Sequence, residues 1–265
     1  MKKLFFVLLV LCYFTTNAQK VFFSANNNEV NRVVQSQLAA TVITSGLLQN
    51  FDANNSSSYG GSGSTWTNLV GGNNGSIVGG TFTTSGGVSF FNFPTAGVAS
   101  YVSAPIAKTA SMTFNVWARA NAIPLSNRML FNAGVSPTGP DVFFENTAIS
   151  WNIWDGSTTT FKNGSNVNIN STTIIGNTNW HNYTFVIDAS ANNAKFYFDG
   201  VLVGTAGYWS PIRSTATDLY IGGAGAGDNA WNWIGGISIF QSYSRALSAA
   251  EVTTNFNALK SRFGF

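Results

Sequence analysis

Cysteine is almost missing from this chain of 265 residues. The single copy, Cys12, lies in an apolar N-terminal run, so a disulfide framework, a cysteine–zinc site and thiolate chemistry are all excluded from the remainder. Leu11 before it is a poor match for the small residue that a lipid-attachment cysteine needs. Histidine is equally scarce. His181 is the sole copy, and beside Trp180 it reads as a packing and hydrogen-bonding residue rather than as the base of a lyase. Charge is thin too, at 9% of residues, with 13 basic against 10 acidic side chains, so no basic field for nucleic acid exists. Glutamate occurs only as Glu29, Glu145 and Glu251, which leaves few candidates for the paired carboxylates of glycoside hydrolysis.

What is present starts with an export pattern. Lys2 and Lys3 precede an apolar run from Leu4 to Phe14, and Thr16-Asn17-Ala18 supplies small residues for cleavage. Residues 1–18 therefore read as a signal peptide, too short to span a bilayer, with Gln19 as the new terminus. Without Lys2 and Lys3, 11 basic residues face the 10 acidic ones, a net charge near +1. No later apolar run is long enough to cross a membrane. The expected location is secreted, cell-surface or periplasmic.

Residues 19–45 form a lead-in in which Val30, Val33, Val34 and Leu38 could line one helix face behind an Asn28 cap. Residues 46–265 change texture to short apolar runs separated by Gly, Asn and Ser. Met112, Phe114, Val116 and Ala118 alternate with polar neighbours, the period-two signature of a strand with one face in a core. Asp199-Gly200 closes a hairpin through a primed turn. Ser248 and Glu251 form a capping box for a terminal helix whose Val252, Phe256 and Leu259 recur at helical spacing. Strand–helix alternation is absent. The expected fold is all-β, a two-sheet antiparallel jelly-roll sandwich with a short C-terminal helix. The Gly/Ser/Asn-rich stretch from Asn54 to Gly80 is expected to be a long ordered loop plus one strand.

Several blocks resemble the laminin-G-like, concanavalin A-like sandwich family of bacteria and phages. They are Leu48-Gln49-Asn50-Phe51-Asp52-Ala53, Ser58-Tyr59-Gly60-Gly61-Ser62-Gly63-Ser64-Thr65-Trp66, Gly72-Asn73-Asn74-Gly75, Trp180-His181-Asn182-Tyr183, Phe198-Asp199-Gly200 and Tyr243-Ser244-Arg245-Ala246-Leu247-Ser248. The resemblance implies a jelly roll, usually non-enzymatic, that recognises glycans or other surface ligands and in some members binds calcium. Many members carry an acidic residue where this chain has Ser238.

The chemistry follows from what can converge. Sugar recognition needs flat aromatic faces with amides and carboxylates for the hydroxyls. Trp154, Asp155, Trp209, Asp228, Asn229 and Trp231 are the expected contact residues on one rim. Trp66, Trp117 and Trp180 are expected in the core, and Trp231 and Trp233 on one shared face. Ca²⁺ could draw on Asp52, Asp141, Asp155, Asp218 and Asp228, although no Asp-x-Asp-x-Asp loop occurs. The run from Gly222 to Gly227 lacks the strand–loop–helix setting of a nucleotide site. The leading expectation is a secreted, non-catalytic module binding a carbohydrate or cell-surface glycan. Two readings stand beside it: an adhesive protein-contact domain, and a hydrolase whose acid pair is Glu145 with Asp155.

Overall fold

A computed structural model describes residues 40–93, 98–122, 128–133, 140–145, 148–153, 169–170, 177–207, 217–225 and 229–265. The segment expected to be a signal peptide and most of the expected lead-in lie outside these residues. Ala40–Phe265 forms one unit.

The described strands in chain order are β1 (Leu47–Asp52), β2 (Thr65–Trp66), β3 (Gly75–Val78), β4 (Thr81–Ser85), β5 (Val88–Phe93), β6 (Tyr101–Ile106), β7 (Met112–Ala120) and β8 (Arg128–Asn132). They continue as β9 (Pro140–Glu145), β10 (Ala148–Ile153), β11 (Ile169–Asn170), β12 (His181–Asp188), β13 (Asn193–Phe198), β14 (Val201–Gly207), β15 (Thr217–Ile221) and β16 (Gly235–Tyr243). One sheet, called A here, runs β14-β13-β12-β7-β16-β5-β4, with β1 also pairing with β16; the other, sheet B, runs β11-β10-β9-β8-β15-β6-β3-β2. All the ladders are antiparallel, as an all-β sandwich built from hairpins and returns requires. The segment expected as a loop with one strand holds two short strands, β2 and β3. The hydroxyl-rich strand β4, largely exposed, was not anticipated.

The core lies between the sheets. Met112, Phe114, Val116 and Ala118 of β7 enter it with Phe131, Val142, Phe144, Phe185, Ile221 and Phe240. Alternation predicted that face. It did not predict that the opposite face of sheet A is buried too. There Val88, Phe90, Trp117 and Ile239 pack against Leu259 and Phe263 from the C-terminal segment, and a neighbouring cluster joins Tyr243, Leu247 and Val252 to Ile43 and Leu47. Trp66 and Trp117 are fully buried, as expected. Trp180 is only half-buried, contrary to expectation: it precedes β12 and packs against the second cluster without being enclosed by it.

The hairpin between β13 and β14 turns at Asp199 (φ 50) and Gly200 (φ 77), the left-handed pair that a type I′ turn demands. A Cβ on Gly200 would lie 3.0 Å from Phe256, so a glycine is favoured there by space as well as by φ. Asp199 also accepts from the Asn182 backbone N–H at 2.8 Å and pairs with His181 Nδ1 at 2.8 Å. The His181 ring stacks on Phe198 at 4.6 Å, and its Nε2 meets Asn177 Oδ1 at 2.8 Å. The only histidine thus fastens a turn to a strand entry.

Helix α1 (Ala249–Leu259) begins with the predicted capping box: Glu251 N–H donates to Ser248 Oγ and Ser248 N–H to the Glu251 carboxylate. Arg245 clamps the same carboxylate with Nη1 at 2.9 Å and Nη2 at 2.7 Å. The Arg245 hydrogen bond, followed by those from Ser248, lowers the Glu251 pKa from 4.5 to about 2. A carboxyl depressed in the native state stabilises the fold above its unfolded value and loses that contribution as pH falls through the native one. Glu251→Gln is therefore expected to cost about 1 kcal/mol at neutral pH, and the difference from the parent should vanish between about pH 4.5 and 2. Urea titrations at several pH values check this. A pH-independent gap would mean that the cap acts without its charge.

Candidate functional site

Sheet B carries a polar lane on the face turned away from the core. Strand register places Ser76 opposite Ser103, Ser103 opposite Tyr220, Tyr220 opposite Asn132, Asn132 opposite Asp141, and Asp141 opposite Asn152. Their chain neighbours Val102, Leu219, Ile221, Phe131 and Val142 fill the core, so the pleat sends the lane outward. A row of hydroxyls, an amide and a carboxylate on the five adjacent strands β3, β6, β15, β8 and β9 follows from alternation plus pairing.

Aromatic rings border this lane. Tyr101, half-exposed, sits edge-to-face with Tyr220 at 5.4 Å between centroids. Trp231, also half-exposed, sits edge-to-face with Phe143 of β9 at 5.9 Å. It belongs to a 3₁₀ turn, Asn229–Trp231, which Arg128 holds by donating from Nη1 to the Ala230 carbonyl at 2.6 Å. That turn breaks the expected alternation. Trp233 enters the core with Nε1 donating to the Arg119 carbonyl at 3.2 Å, whereas Trp231 stays outside; the two do not share a face.

The loop after β15 closes over the middle of the lane, at Asn132 and Tyr220. Asn132 Nδ2 donates to the Ala224 carbonyl at 2.9 Å, and Asn232 Nδ2 to the Val98 carbonyl at 2.7 Å. Asn132 Oδ1, Asn232 Oδ1 and Ser100 Oγ are buried with no hydrogen-bond partner. Such groups are rare in folded proteins because each costs about 1–3 kcal/mol if left dry. A Cβ on Gly223 would fall 2.7 Å from Asn232 Oδ1 and 3.0 Å from Tyr101 Cβ, so the glycine lets the loop backbone close onto the pocket. Asp218, exposed on β15, lies 3.5 Å from the Tyr220 hydroxyl.

Of the residues expected at the rim, Trp231 is found beside the lane. Asn229 stands in the same 3₁₀ turn, its side chain not among those described. Trp154, Asp155, Trp209 and Asp228 lie outside the described residues, as does Asp155 of the pair with Glu145. Phe143, Asn132, Tyr220 and Tyr101 were not singled out in advance. Their alternation was readable, but the pairing that aligns 220, 132 and 141 was not.

The other described carboxylates are committed elsewhere. Arg262 Nη1 donates to both Asp52 oxygens at 2.8 Å, tying the C-terminal segment to β1. Asp188 accepts from Ser190 Oγ at 2.6 Å, a bond that lowers its pKa and makes it a turn residue. Ser238 is fully buried and donates to the Ser89 carbonyl at 2.7 Å. Among the described residues no three His, Cys, Asp or Glu side chains gather. Of the five aspartates expected as calcium ligands, Asp52 is held by Arg262, and Asp155 and Asp228 lie outside the described residues. No described helix is long and apolar enough to cross a membrane.

No curated protein matches the chain. Solved structures do. A Trypanosoma rangeli sialidase in complex with sialic acid superimposes with TM-score 0.58 at 15% identity, over 85% of this chain and 35% of that one. A botulinum neurotoxin type C structure, concerned with cell entry dependent on two ganglioside molecules, gives TM-score 0.61 at 13% identity, over 81% of this chain and 51% of that one. Domain 4 of an extracellular arabinanase from Geobacillus stearothermophilus, in complex with arabinotriose, gives TM-score 0.57 at 15% identity, over 78% of this chain and 96% of that one. The chain spans about a third of the sialidase and about half of the toxin chain. At these identities the likeness is one of fold, a fold shared by ligand-binding domains and by parts of enzymes. Residues 95–253 match the concanavalin A-like lectin/glucanases superfamily over more than half of the sequence, and the chain belongs to that family.

Proposed function

We propose that this protein is an exported, non-catalytic carbohydrate-binding module that holds a neutral glycan along the polar lane of sheet B. The observation carrying the reading is the pair of half-exposed rings, Trp231 and Tyr101, that border the lane, with the exposed Asp218 carboxylate near the Tyr220 hydroxyl. A pyranose presents an apolar face to stack on a ring and hydroxyl donors for such a carboxylate. Two of the structural neighbours carry sugars in their complexes, which agrees with this use of the fold. Export rests on Lys2, Lys3 and the apolar run that follows them. The reading needs no cofactor, so binding should survive chelation of calcium.

The test is a glycan array followed by calorimetry on the strongest neutral hit. Trp231→Ala should weaken binding at least tenfold, in line with the loss of about 2 kcal/mol typical of a central aromatic contact, while leaving the melting temperature nearly unchanged. Undiminished affinity would remove the lane as the site. Bond cleavage by the purified protein, lost on changing Glu145 or Asp155, would replace binding with hydrolysis.

One observation favours a second reading, a protein-contact surface. β14 lies at the edge of sheet A, and Val201, Leu202 and Val203 are all exposed on it. Exposed apolar edges tend to pair with other chains. Concentration-dependent dimers on size exclusion, abolished by Leu202→Lys, would support it.

A further inference from the structure

Arg119 is the described arginine whose guanidinium meets no oxygen. Arg128 bonds the Ala230 carbonyl, Arg245 bonds Glu251 and Arg262 bonds Asp52. Arg119 instead lies between two rings, its Cζ 4.7 Å from the centroid of Phe90 and 5.4 Å from that of Trp180. Its Nε is buried and has no acceptor. Arginine is the side chain best suited to such a setting, because its planar, weakly hydrated cation stacks on aromatic faces and still offers a fork of N–H donors at its edge. The rings fix the position of this fork while leaving its edge unused by any described carboxylate or carbonyl.

The surroundings complete a site. Register sets Asn92 of β5 opposite Gly236 of β16, and Gly236 opposite Arg119 of β7. Trp180 immediately precedes His181, which pairs with Ala118, so it continues the row on the Arg119 side. All lie on the face of sheet A opposite the main core, where the Phe263 ring is 5.4 Å from Trp180. Gly236 has no Cβ for a physical reason: one would lie 2.7 Å from Phe90 and 2.9 Å from Trp180. The missing side chain lets the two rings meet edge-to-face at 5.2 Å over the strand and form the bed for the guanidinium. At the open end Asn121 Nδ2 donates to Asn92 Oδ1 at 3.0 Å. The Asn92 amide N–H and the Asn121 amide oxygen then remain as a donor and an acceptor beside the cation.

We infer that this row is a second binding site, separate from the lane on sheet B, for a sugar that bears a carboxylate. The Arg119 fork would take the carboxylate in paired charge-assisted hydrogen bonds, the exposed side of Trp180 would carry the ring's apolar face, and the two amides would meet hydroxyls. A neutral sugar leaves the guanidinium unpaired, and a bare carboxylate leaves Trp180 and the amides unused. The site therefore selects for the combination. It does not depend on the sheet B reading, and its failure would leave that reading untouched.

Saturation-transfer NMR and calorimetry at low salt, with glucuronic acid and N-acetylneuraminic acid as probes and glucose and acetate as controls, test the inference. Both acidic sugars should bind at least tenfold more tightly than either control, and affinity should fall when salt is raised, since a half-exposed ion pair is screened. Arg119→Gln should reduce acidic-sugar affinity at least tenfold. Arg119→Lys, which keeps the charge over the rings but loses the fork, should reduce it several-fold, and Trp231→Ala should not change it. If Arg119→Gln lowers the melting temperature too far to assay, Arg119→Lys and Asn92→Ala carry the test. The inference is overturned if wild-type protein does not prefer the acidic sugars, or if the Arg119 and Asn92 variants all bind them as well as the parent does.

Discussion

Trp117→Ala should cost about 4 kcal/mol of stability, the range found for removing a large buried aromatic ring. Trp117 is fully buried on the outer face of β7, parallel to Phe263 at 4.0 Å and to Phe256 at 5.7 Å, with Phe265 edge-on at 5.9 Å. Its Nε1 has no hydrogen-bond partner, so the loss is one of packing and burial alone. The rings it supports all belong to the C-terminal segment. Their loss should loosen that segment first, and trypsin should then cut after Lys260 or Arg262 well below the temperature of global unfolding. Guanidinium titration and timed proteolysis together decide it. A cost under about 1 kcal/mol with no early cleavage would mean that the outer cluster is an ornament on a self-sufficient sandwich.

Asn115→Ala should be nearly as damaging, at about 3–4 kcal/mol, although it removes no hydrophobic contact. Asn115 Nδ2 donates to Gln241 Oε1 at 2.8 Å, while its Oδ1 accepts from Asn182 Nδ2 at 2.8 Å and from Thr184 Oγ1 at 2.7 Å. All four side chains are essentially without solvent contact. They link β7, β12 and β16, and truncation would leave the buried Gln241 Oε1 without its donor and reduce Asn182 Nδ2 and Thr184 Oγ1 to their longer bonds with the Val116 carbonyl at 3.4 Å and Asn182 Oδ1 at 3.1 Å. Asn115→Asp makes the complementary case. It keeps the acceptors but loses the donor to Gln241 and buries a charge, so its destabilisation should lessen as pH falls and the new carboxyl protonates. Equal melting curves for Asn115→Asp at pH 7 and pH 4 would argue that water reaches the network.

These two residues mark where reading the chain stops. Alternation in β7 assigned Met112, Phe114, Val116 and Ala118 to a core, and they are in it. The same alternation assigned Thr113, Asn115 and Arg119 to the other face but could not say that Thr113 and Asn115 would be sealed beneath a second layer. A period-two pattern reports that two faces differ, not what lies over each. The capping box at Ser248 and the Asp199-Gly200 turn were legible because all their partners are within a few residues. Trp180 was misplaced for the converse reason: as a bulky indole beside a strand it looks like core, and only the packing of distant segments decides that it is partly covered. Trp231 and Trp233 were taken as neighbours on a strand, and a single 3₁₀ turn sends them to different environments.

The candidate sites show the same division more sharply. Tryptophans and amides in a charge-poor chain make a sugar-binding surface the expectation from composition alone, with Trp231 among the residues expected on it. The lane of Tyr220, Asn132 and Asp141 joins residues that are about 10 to 90 positions apart, and the bed of Arg119 joins Phe90, Trp180 and Gly236 across separations of about 30 to 120 positions. Local chemistry along the chain, in turn residues, caps and the pleat's two-residue period, was enough to specify an antiparallel all-β sandwich with a helical tail, because those preferences act between near neighbours. Which strands lie side by side, which polar groups are shut away, and which arginine is left holding no oxygen emerge only when distant segments pack, since those outcomes depend on the free energy of the assembled layers and not on any one stretch of residues.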